Sequence, residues 1–357
     1  MIYYLIATVF PLVCWGLYDG MLRKNEYSDK DKNTLKKWLT FLAVLPMFLL
    51  FVLRFKRVGG DTIGYIDFFE KSVRDYSLFD LITTNLFEVE KGYKAYVKLL
   101  SYITDSYSIY FLITGIITFG TLYRFSLKYT KNPFVFFFLF ISLGTYSFFI
   151  TGLRQSLAIT ICLWAVDFIK DRKPIKFILA VILASLFHKS AVIFFVTYPL
   201  SSIKRYDWIL FIYLVLTVVL IISFSFFQNV FNELLGYAYN IEETGNGGIF
   251  MLLVLVLTAY SLYVTYDQKD GNKISKTLVH LSLLTSLFWI LRLISRTAER
   301  VSFYFICGLY AYFSQAISVD SNDKYVKMFK WLLILGCLAL FVYRNLGATY
   351  LFFWQGV

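Results

Sequence analysis

The sequence predicts an all-α polytopic integral membrane protein with about 11–12 transmembrane segments, one of them a re-entrant hairpin. Three observations predict it. Of 357 residues, 59% are hydrophobic and 16% charged, against about 25% charged in a soluble domain, and mean hydropathy is +0.65. Apolar runs of roughly the ~20 residues that span a bilayer core recur along the whole chain. Lys and Arg collect between alternate runs, as they do in cytoplasmic loops. Together the runs leave no room for a separate soluble catalytic domain, so the chain reads as one transmembrane domain over 1–357.

Residues 2–18 form the first run; with no basic n-region and no A-x-A cleavage site they are expected to stay as a helix. The segment 19–37 carries Arg23, Lys24, Lys30, Lys32, Lys36 and Lys37, which makes it cytoplasmic and the N-terminus external. Run 38–53 returns to the outside, where 54–105 forms a long extracytoplasmic loop. Runs 106–123, 133–150 and 155–169 follow, with Pro133 at a helix first turn. Pro174 likewise opens 174–203, which is either one long span or two short half-helices turning near His188. Only the hairpin restores an inside excess of Lys and Arg, so it is the expected form, buried in protein because its halves are short. Runs 208–227, 248–265, 277–293, 301–317 and 328–343 complete the chain. With this topology the loop 54–105, Gly152–Arg154, His188, 228–247 and Arg292–Arg300 share the outer face.

The formal charge of +12 serves orientation and contact with anionic membrane lipid, and nucleic acid is not an expected partner. Tyr and Trp, 28 and 7 residues beside 38 Phe, exceed what an interfacial belt needs and offer flat faces to sugar rings. Cys14, Cys162, Cys307 and Cys337 lie inside apolar runs without C-x-x-C spacing, so neither a disulfide nor a metal site is expected. No Walker A loop, G-x-S-x-G elbow or H-E-x-x-H string occurs, and no cofactor is expected.

Polar residues on the outer face are the candidates for chemistry. Arg54, Lys56 and Arg57 precede Gly59-Gly60-Asp61-Thr62 and Tyr65. Paired glycines let backbone amides approach an anion, and Arg makes planar two-point contacts to phosphate; a basic stop sequence followed by a turn is the competing account. Arg154, followed by Gln155, has no acid within twelve positions, and an unpaired charge near a membrane is costly and usually functional, snorkelling being the bland option. His188 and Lys189 interrupt an apolar run and need a polar partner. Arg292, Arg296 and Arg300 are spaced to share a helical face if the helix continues, with Glu299 neutralising part of their charge. Glu242 and Glu243 read as solvated.

These clusters resemble the EpsG family, Wzy-type polymerases of exopolysaccharide, capsule or O-antigen. The resemblance is carried by Arg57-Val58-Gly59-Gly60-Asp61-Thr62 with Tyr65, Glu90 before Gly92-Tyr93, Arg154-Gln155-Ser156-Leu157-Ala158, Ala184-Ser185-Leu186-Phe187-His188-Lys189-Ser190-Ala191, and Arg300 with Tyr304. Gly60, where the family pattern has Thr, is a departure. The resemblance implies a GT-C-like membrane architecture and a glycosyltransferase on the outer face of the cytoplasmic membrane. Such an enzyme moves a growing glycan from a polyprenyl diphosphate onto the next lipid-linked oligosaccharide repeat unit, alongside a flippase and a chain-length regulator of the same pathway. Asp61, Glu90 and His188 are then the candidate catalytic residues, Asp61 slightly favoured as base unless it only caps the helix beginning near Thr62. Arg54, Arg57, Gly60, Tyr65, Arg154, Gln155, Lys189, Arg292, Arg296 and Arg300 are the candidate substrate contacts, without a metal. A lipid-linked-oligosaccharide flippase or other transporter, and a glycan ligase or membrane acyltransferase, are the rival functions.

Overall fold

The computed structural model describes all residues except 25–26, 85–86, 204, 236–246, 267–275, 320–322 and 356–357. Glu242 and Glu243 therefore lie outside the described residues. Helices follow one another along the chain: α1 (Ile2–Lys24), α2 (Asp29–Val52), α3 (Thr62–Asp67), α4 (Leu78–Thr83), α5 (Lys91–Ser101), α6 (Tyr107–Tyr129), α7 (Pro133–Ser142), α8 (Thr145–Thr151), α9 (Leu153–Lys170), α10 (Pro174–Ser185), α11 (Thr197–Leu200), α12 (Tyr206–Ile222), α13 (Phe224–Leu235), α14 (Gly248–Tyr266), α15 (Lys276–Leu291), α16 (Arg296–Ala316) and α17 (Lys324–Arg344). A π-helical turn covers Phe68–Ser72 and a 3-10 helix Lys189–Val196. Among the described residues the one β-bridge pairs Arg54 with Phe352.

Every apolar run of the sequence carries helix, as an all-α multi-pass membrane protein requires. Helices α1, α2, α6, α14 and α17 are each long and apolar enough to cross a membrane, and α7 with α8 makes a sixth if the bent pair is one span. Helices α10, α12 and α15 are apolar but shorter. The chain divides into two compact units, one of residues 1–164, 182–188 and 334–357, the other of 165–181 and 189–333.

In the first unit α1 packs on α2 and α7, and α2 on α6 and α7. Ser28 caps α2 by accepting from the Asp31 amide, and Asn132 caps α7 by accepting from the Val135 amide with Pro133 behind it. Run 133–150 is not the single helix its composition suggests. It breaks at Gly144, whose φ of +77° only glycine adopts without strain, and the two halves meet at 64°. Beyond α2 the chain pairs with the tail: the Phe55 amide donates to Leu351 O at 2.9 Å, the Phe353 amide to Leu53 O at 2.9 Å, and Tyr350 Oη to Leu50 O at 2.7 Å. The N-terminal amine meets Ala348 O. Both ends of the chain therefore share one end of the unit with the start of loop 54–105.

In the second unit α15 lies between α12, α14 and α16. Residues 174–203 turn back on themselves, so the hairpin preferred on charge grounds is the form adopted. Phe177 on α10 sits 5.1 Å from the Tyr198 ring and 6.2 Å from Phe194. Arg172, before α10, donates to Ser202 Oγ at 3.0 Å and Ser201 O at 3.2 Å, after the return limb.

Candidate functional site

Loop 54–105 folds into short helices around a cleft in the first unit. Gly59 has φ +103°, and a Cβ there would lie 2.5 Å from Thr62 Oγ1 and 2.9 Å from Ile150 Cγ2, so a glycine is needed for the loop to rest on the end of α8. A Cβ on Gly60 would meet nothing nearer than Thr151 Cγ2 at 3.7 Å. Of the glycine pair, Gly59 is the structural requirement, and the family departure at Gly60 is tolerated. Asp61 stands at the N-cap position of α3 but makes no side-chain capping bond. Its exposed carboxylate has no ion-pair partner among the described residues.

Across the cleft, the start of α5 is fastened to the turn that carries His188. The Gly92 and Tyr93 amides donate to Leu186 O at 2.8 and 3.2 Å. A Cβ on Gly92 would sit 2.7 Å from Leu186 Cβ and 2.8 Å from its carbonyl oxygen, so the glycine admits the closest approach of two backbones. That junction delivers Glu90, the N-cap residue of α5, to His188. Nδ1 of His188 lies 3.1 Å from Glu90 Oε1, and Arg154 Nη1 donates to Glu90 Oε2 at 2.6 Å. Arg154 enters from the first turn of α9, just beyond the Gly152 break. A cation there opposes the helix dipole, so Glu90 supplies the compensation that the flanking sequence lacks. The Glu90 side chain is 2% exposed and that of Arg154 26%. Arg154 also hydrogen-bonds the Tyr65 hydroxyl; burial pushes the Tyr65 pKa up while the guanidinium opposes it.

The cleft has a volume of about 530 Å³ and is lined by Gly60, Asp61, Gly64, Tyr65, Asp67, Phe68, Ser72, Val89, Tyr93 and Arg154. Aromatic rings build its wall: Tyr65 meets Tyr93 edge-on at 5.8 Å, Phe68 stacks on Tyr93 at 6.3 Å, and Tyr93 Oη bonds Tyr110 Oη at 2.7 Å. Lys71 pairs with Asp67 at 2.9 Å, which raises the Lys71 pKa. The buried Lys98 donates to Val73 O at 3.1 Å and so ties the end of the π turn to α5. Such turns recur at functional sites.

A second polar cluster lies in the other unit. The helix does not continue through Arg292, Arg296 and Arg300, the condition for their sharing one face: α15 ends at Leu291 and α16 begins at Arg296, with Ser295 capping it by accepting from the Thr297 amide. Arg292 sits buried in the turn, its Nε donating to Glu299 Oε2 at 2.8 Å and its Nη1 without a hydrogen-bond partner among the described residues. Arg296 and Arg300 are exposed one turn apart on α16. Ser190 Oγ bonds Tyr304 Oη at 3.0 Å, both buried, and Lys189 is exposed at the start of the 3-10 helix.

The sequence candidates thus sort into three groups. Asp61, Tyr65, Gly60 and Arg154 line the cleft, with Glu90 and His188 behind Arg154. Arg292, Arg296, Arg300 and Lys189 belong to the second unit. Three others do not line the cleft. Arg54, expected to meet substrate, is fully buried with its guanidinium between the Phe51 and Phe111 rings at 4.1 and 3.9 Å, Nη1 donating to Phe51 O. Gln155 is buried on α9, and Arg57 is exposed but outside the cleft lining. Asp67, Phe68 and Ser72 were not foreseen, although 61, 64, 65, 68 and 72 follow helical spacing, the signal that could have found them. Tyr93 was foreseen as part of a motif but not as cleft lining. The second histidine, His280, is a packing residue: Nε2 lies 3.0 Å from Ile203 O, and Tyr213 Oη donates to His280 O at 3.1 Å.

The EpsG family model matches residues 37–355. No curated protein and no solved structure matches the chain.

Proposed function

The chain belongs to the EpsG family, a Wzy-type polysaccharide polymerase family, and we propose that it joins polyprenyl-diphosphate-linked oligosaccharide repeat units on the outer face of the cytoplasmic membrane. The observation that carries this is the cleft in which the partnerless carboxylate of Asp61 shares a wall with Arg154, which Glu90 and Tyr65 hold in place. In the reaction an acceptor hydroxyl oxygen attacks the anomeric carbon of the donor glycan. The bond from that carbon to the diphosphate oxygen breaks, the hydroxyl proton passes to Asp61, and the polyprenyl diphosphate leaves. A carboxylate placed beside the acceptor hydroxyl can take that proton as a general base.

Glu90 is a positioning residue in this scheme. Its carboxylate already accepts from Arg154 and faces His188, so it orients the guanidinium toward the cleft and His188 behind it. The leaving diphosphate needs charge stabilisation more than protonation, which arginine supplies through planar donors.

Deletion of the gene, followed by sizing of lipid-linked and surface glycan, tests the function. A polymerase mutant accumulates single repeat units on the lipid and loses long chains, which wild type restores and Asp61→Asn does not. Long polymer of normal size in the deletion strain overturns the proposal. Repeat units trapped on the inner face indicate a flippase, and normal lipid-linked polymer that never reaches its final acceptor indicates a ligase.

A further inference from the structure

We infer that the cleft of the first unit is the subsite for the terminal sugar of the acceptor, a neutral hydroxyl-rich ring, and that it excludes the diphosphate. This takes the polymerase reading as its premise. Only Asp61, Asp67 and Arg154 bring charge to the lining. Lys71 neutralises Asp67 at 2.9 Å and Glu90 neutralises Arg154 at 2.6 Å, which leaves the carboxylate of Asp61. A diphosphate entering the cleft would meet a net negative wall and a guanidinium already engaged by an acid.

A sugar ring meets what it needs there. Carboxylate oxygens accept from its hydroxyls, the remaining guanidinium N–H groups donate to its oxygens, and the half-buried Tyr65 supplies apolar ring surface, backed by the buried Phe68 and Tyr93. The volume falls in the range of small-ligand sites, ~300–1,000 Å³. Gly64 is part of the lining; a Cβ built on it meets nothing within 4 Å and its backbone needs no left-handed φ, so a side chain can be added at this edge of the cleft without straining α3.

Protection of an introduced thiol tests the assignment in the purified full-length protein. Ser72 lines the cleft, and the native cysteines Cys14, Cys162, Cys307 and Cys337 are all buried, so Ser72→Cys provides a selective target for a polar maleimide. The probes are the repeat-unit oligosaccharide released from its lipid carrier by mild acid, and inorganic diphosphate. The oligosaccharide is expected to slow labelling several-fold and diphosphate at the same concentration to leave the rate unchanged. Adding Gly64→Val to Ser72→Cys should abolish the oligosaccharide's protection while labelling continues. Slowing by diphosphate, or no slowing by the oligosaccharide, overturns the assignment. Failure of the polymerase reading is distinct from this, because it appears as unaltered polymer length in the deletion strain.

Discussion

Arg154 and Arg292 make nearly the same bond, to Glu90 at 2.6 Å and to Glu299 at 2.8 Å, yet the exposure of the two pairs is reversed. In the first unit the acid is 2% exposed and the guanidinium 26%; in the second the guanidinium is 8% exposed and the acid 26%. One pair hides its carboxylate and offers its arginine. The other hides its arginine and offers its carboxylate. An arginine near the membrane surface is therefore not by itself a substrate contact: Arg154 is presented to a cleft, whereas Arg292 braces the turn between α15 and α16 and leaves Arg296 and Arg300 to carry that cluster's accessible charge.

The sharpest break between the two regions comes from their acids. Asp61→Asn keeps the shape of the cleft and removes its base, so polymer synthesis should fall by roughly 10²–10⁴-fold, the usual contribution of general base catalysis, at unchanged protein level. Glu299→Gln weakens a partly exposed pair and should lower the amount of folded protein more than the activity per molecule. Quantitative immunoblotting beside glycan sizing separates the two. Equal loss of specific activity in both variants would remove the distinction.

Next in size are changes to the support behind Arg154. Gly92→Ala would drive a methyl group to within 2.7 Å of Leu186 and separate Glu90 from His188. Glu90→Gln keeps the volume but removes the charge that balances Arg154, and breaking a buried pair costs about 3–5 kcal/mol. Both should reduce polymer to traces, whereas Gly60→Ala, with 3.7 Å of clearance, should retain wild-type polymer. If Gly92→Ala is as active as Gly60→Ala, the junction at Leu186 does not position the site.

How much of this was legible in the sequence depends on the distance over which each feature is encoded. The hairpin was legible because the balance of Lys and Arg reports topology, and the helix starts at Pro133 and Pro174 follow from local chemistry. The break at Gly144 was not, since Phe, Leu and Ile surround it and only the backbone φ reveals it. The partner of Arg154 lies 64 positions away, beyond any window of charge pairing, so the arginine looked unpaired. Arg54 misled for the opposite reason: its neighbours Lys56 and Arg57 suggest a basic surface, while the rings that bury it come from α2 and α6. His188 and His280 each interrupt apolar stretches, and only their partners, a carboxylate for one and a backbone carbonyl for the other, tell them apart.

Substituting lysine for each arginine of the comparison gives a smaller, graded effect. Lys keeps the charge but loses the planar fork. Arg154→Lys cannot hold Glu90 and Tyr65 together while facing the cleft, so it should raise the acceptor KM and lower polymer yield by around one order of magnitude, the ~1.4 kcal/mol of a lost charge-assisted bond. Arg292→Lys should act through protein level instead, because the group it replaces is buried and bonded through Nε. An acceptor KM that moves with Arg292→Lys and not with Arg154→Lys would reverse the roles assigned to the two residues.

The smallest effect is expected at Arg57, and it bears on the original inference from sequence. Next to a glycine pair and an aspartate, Arg57 looks like part of an anion-binding loop. It is exposed, and it does not line the cleft. The loop's fixed geometry comes from Gly59 packed on Ile150 and from Thr62 Oγ1 donating to Val58 O at 2.9 Å, neither of which involves the Arg57 side chain. Exposed charges are screened and act mainly as a general field. Arg57→Lys should therefore give polymer of wild-type length and amount, and Arg57→Gln only a modest reduction that added salt reproduces in the wild-type protein. A loss with Arg57→Lys comparable to that of Arg154→Lys would show that the guanidinium geometry of Arg57 matters, and would return the residues before Gly59 to the substrate path.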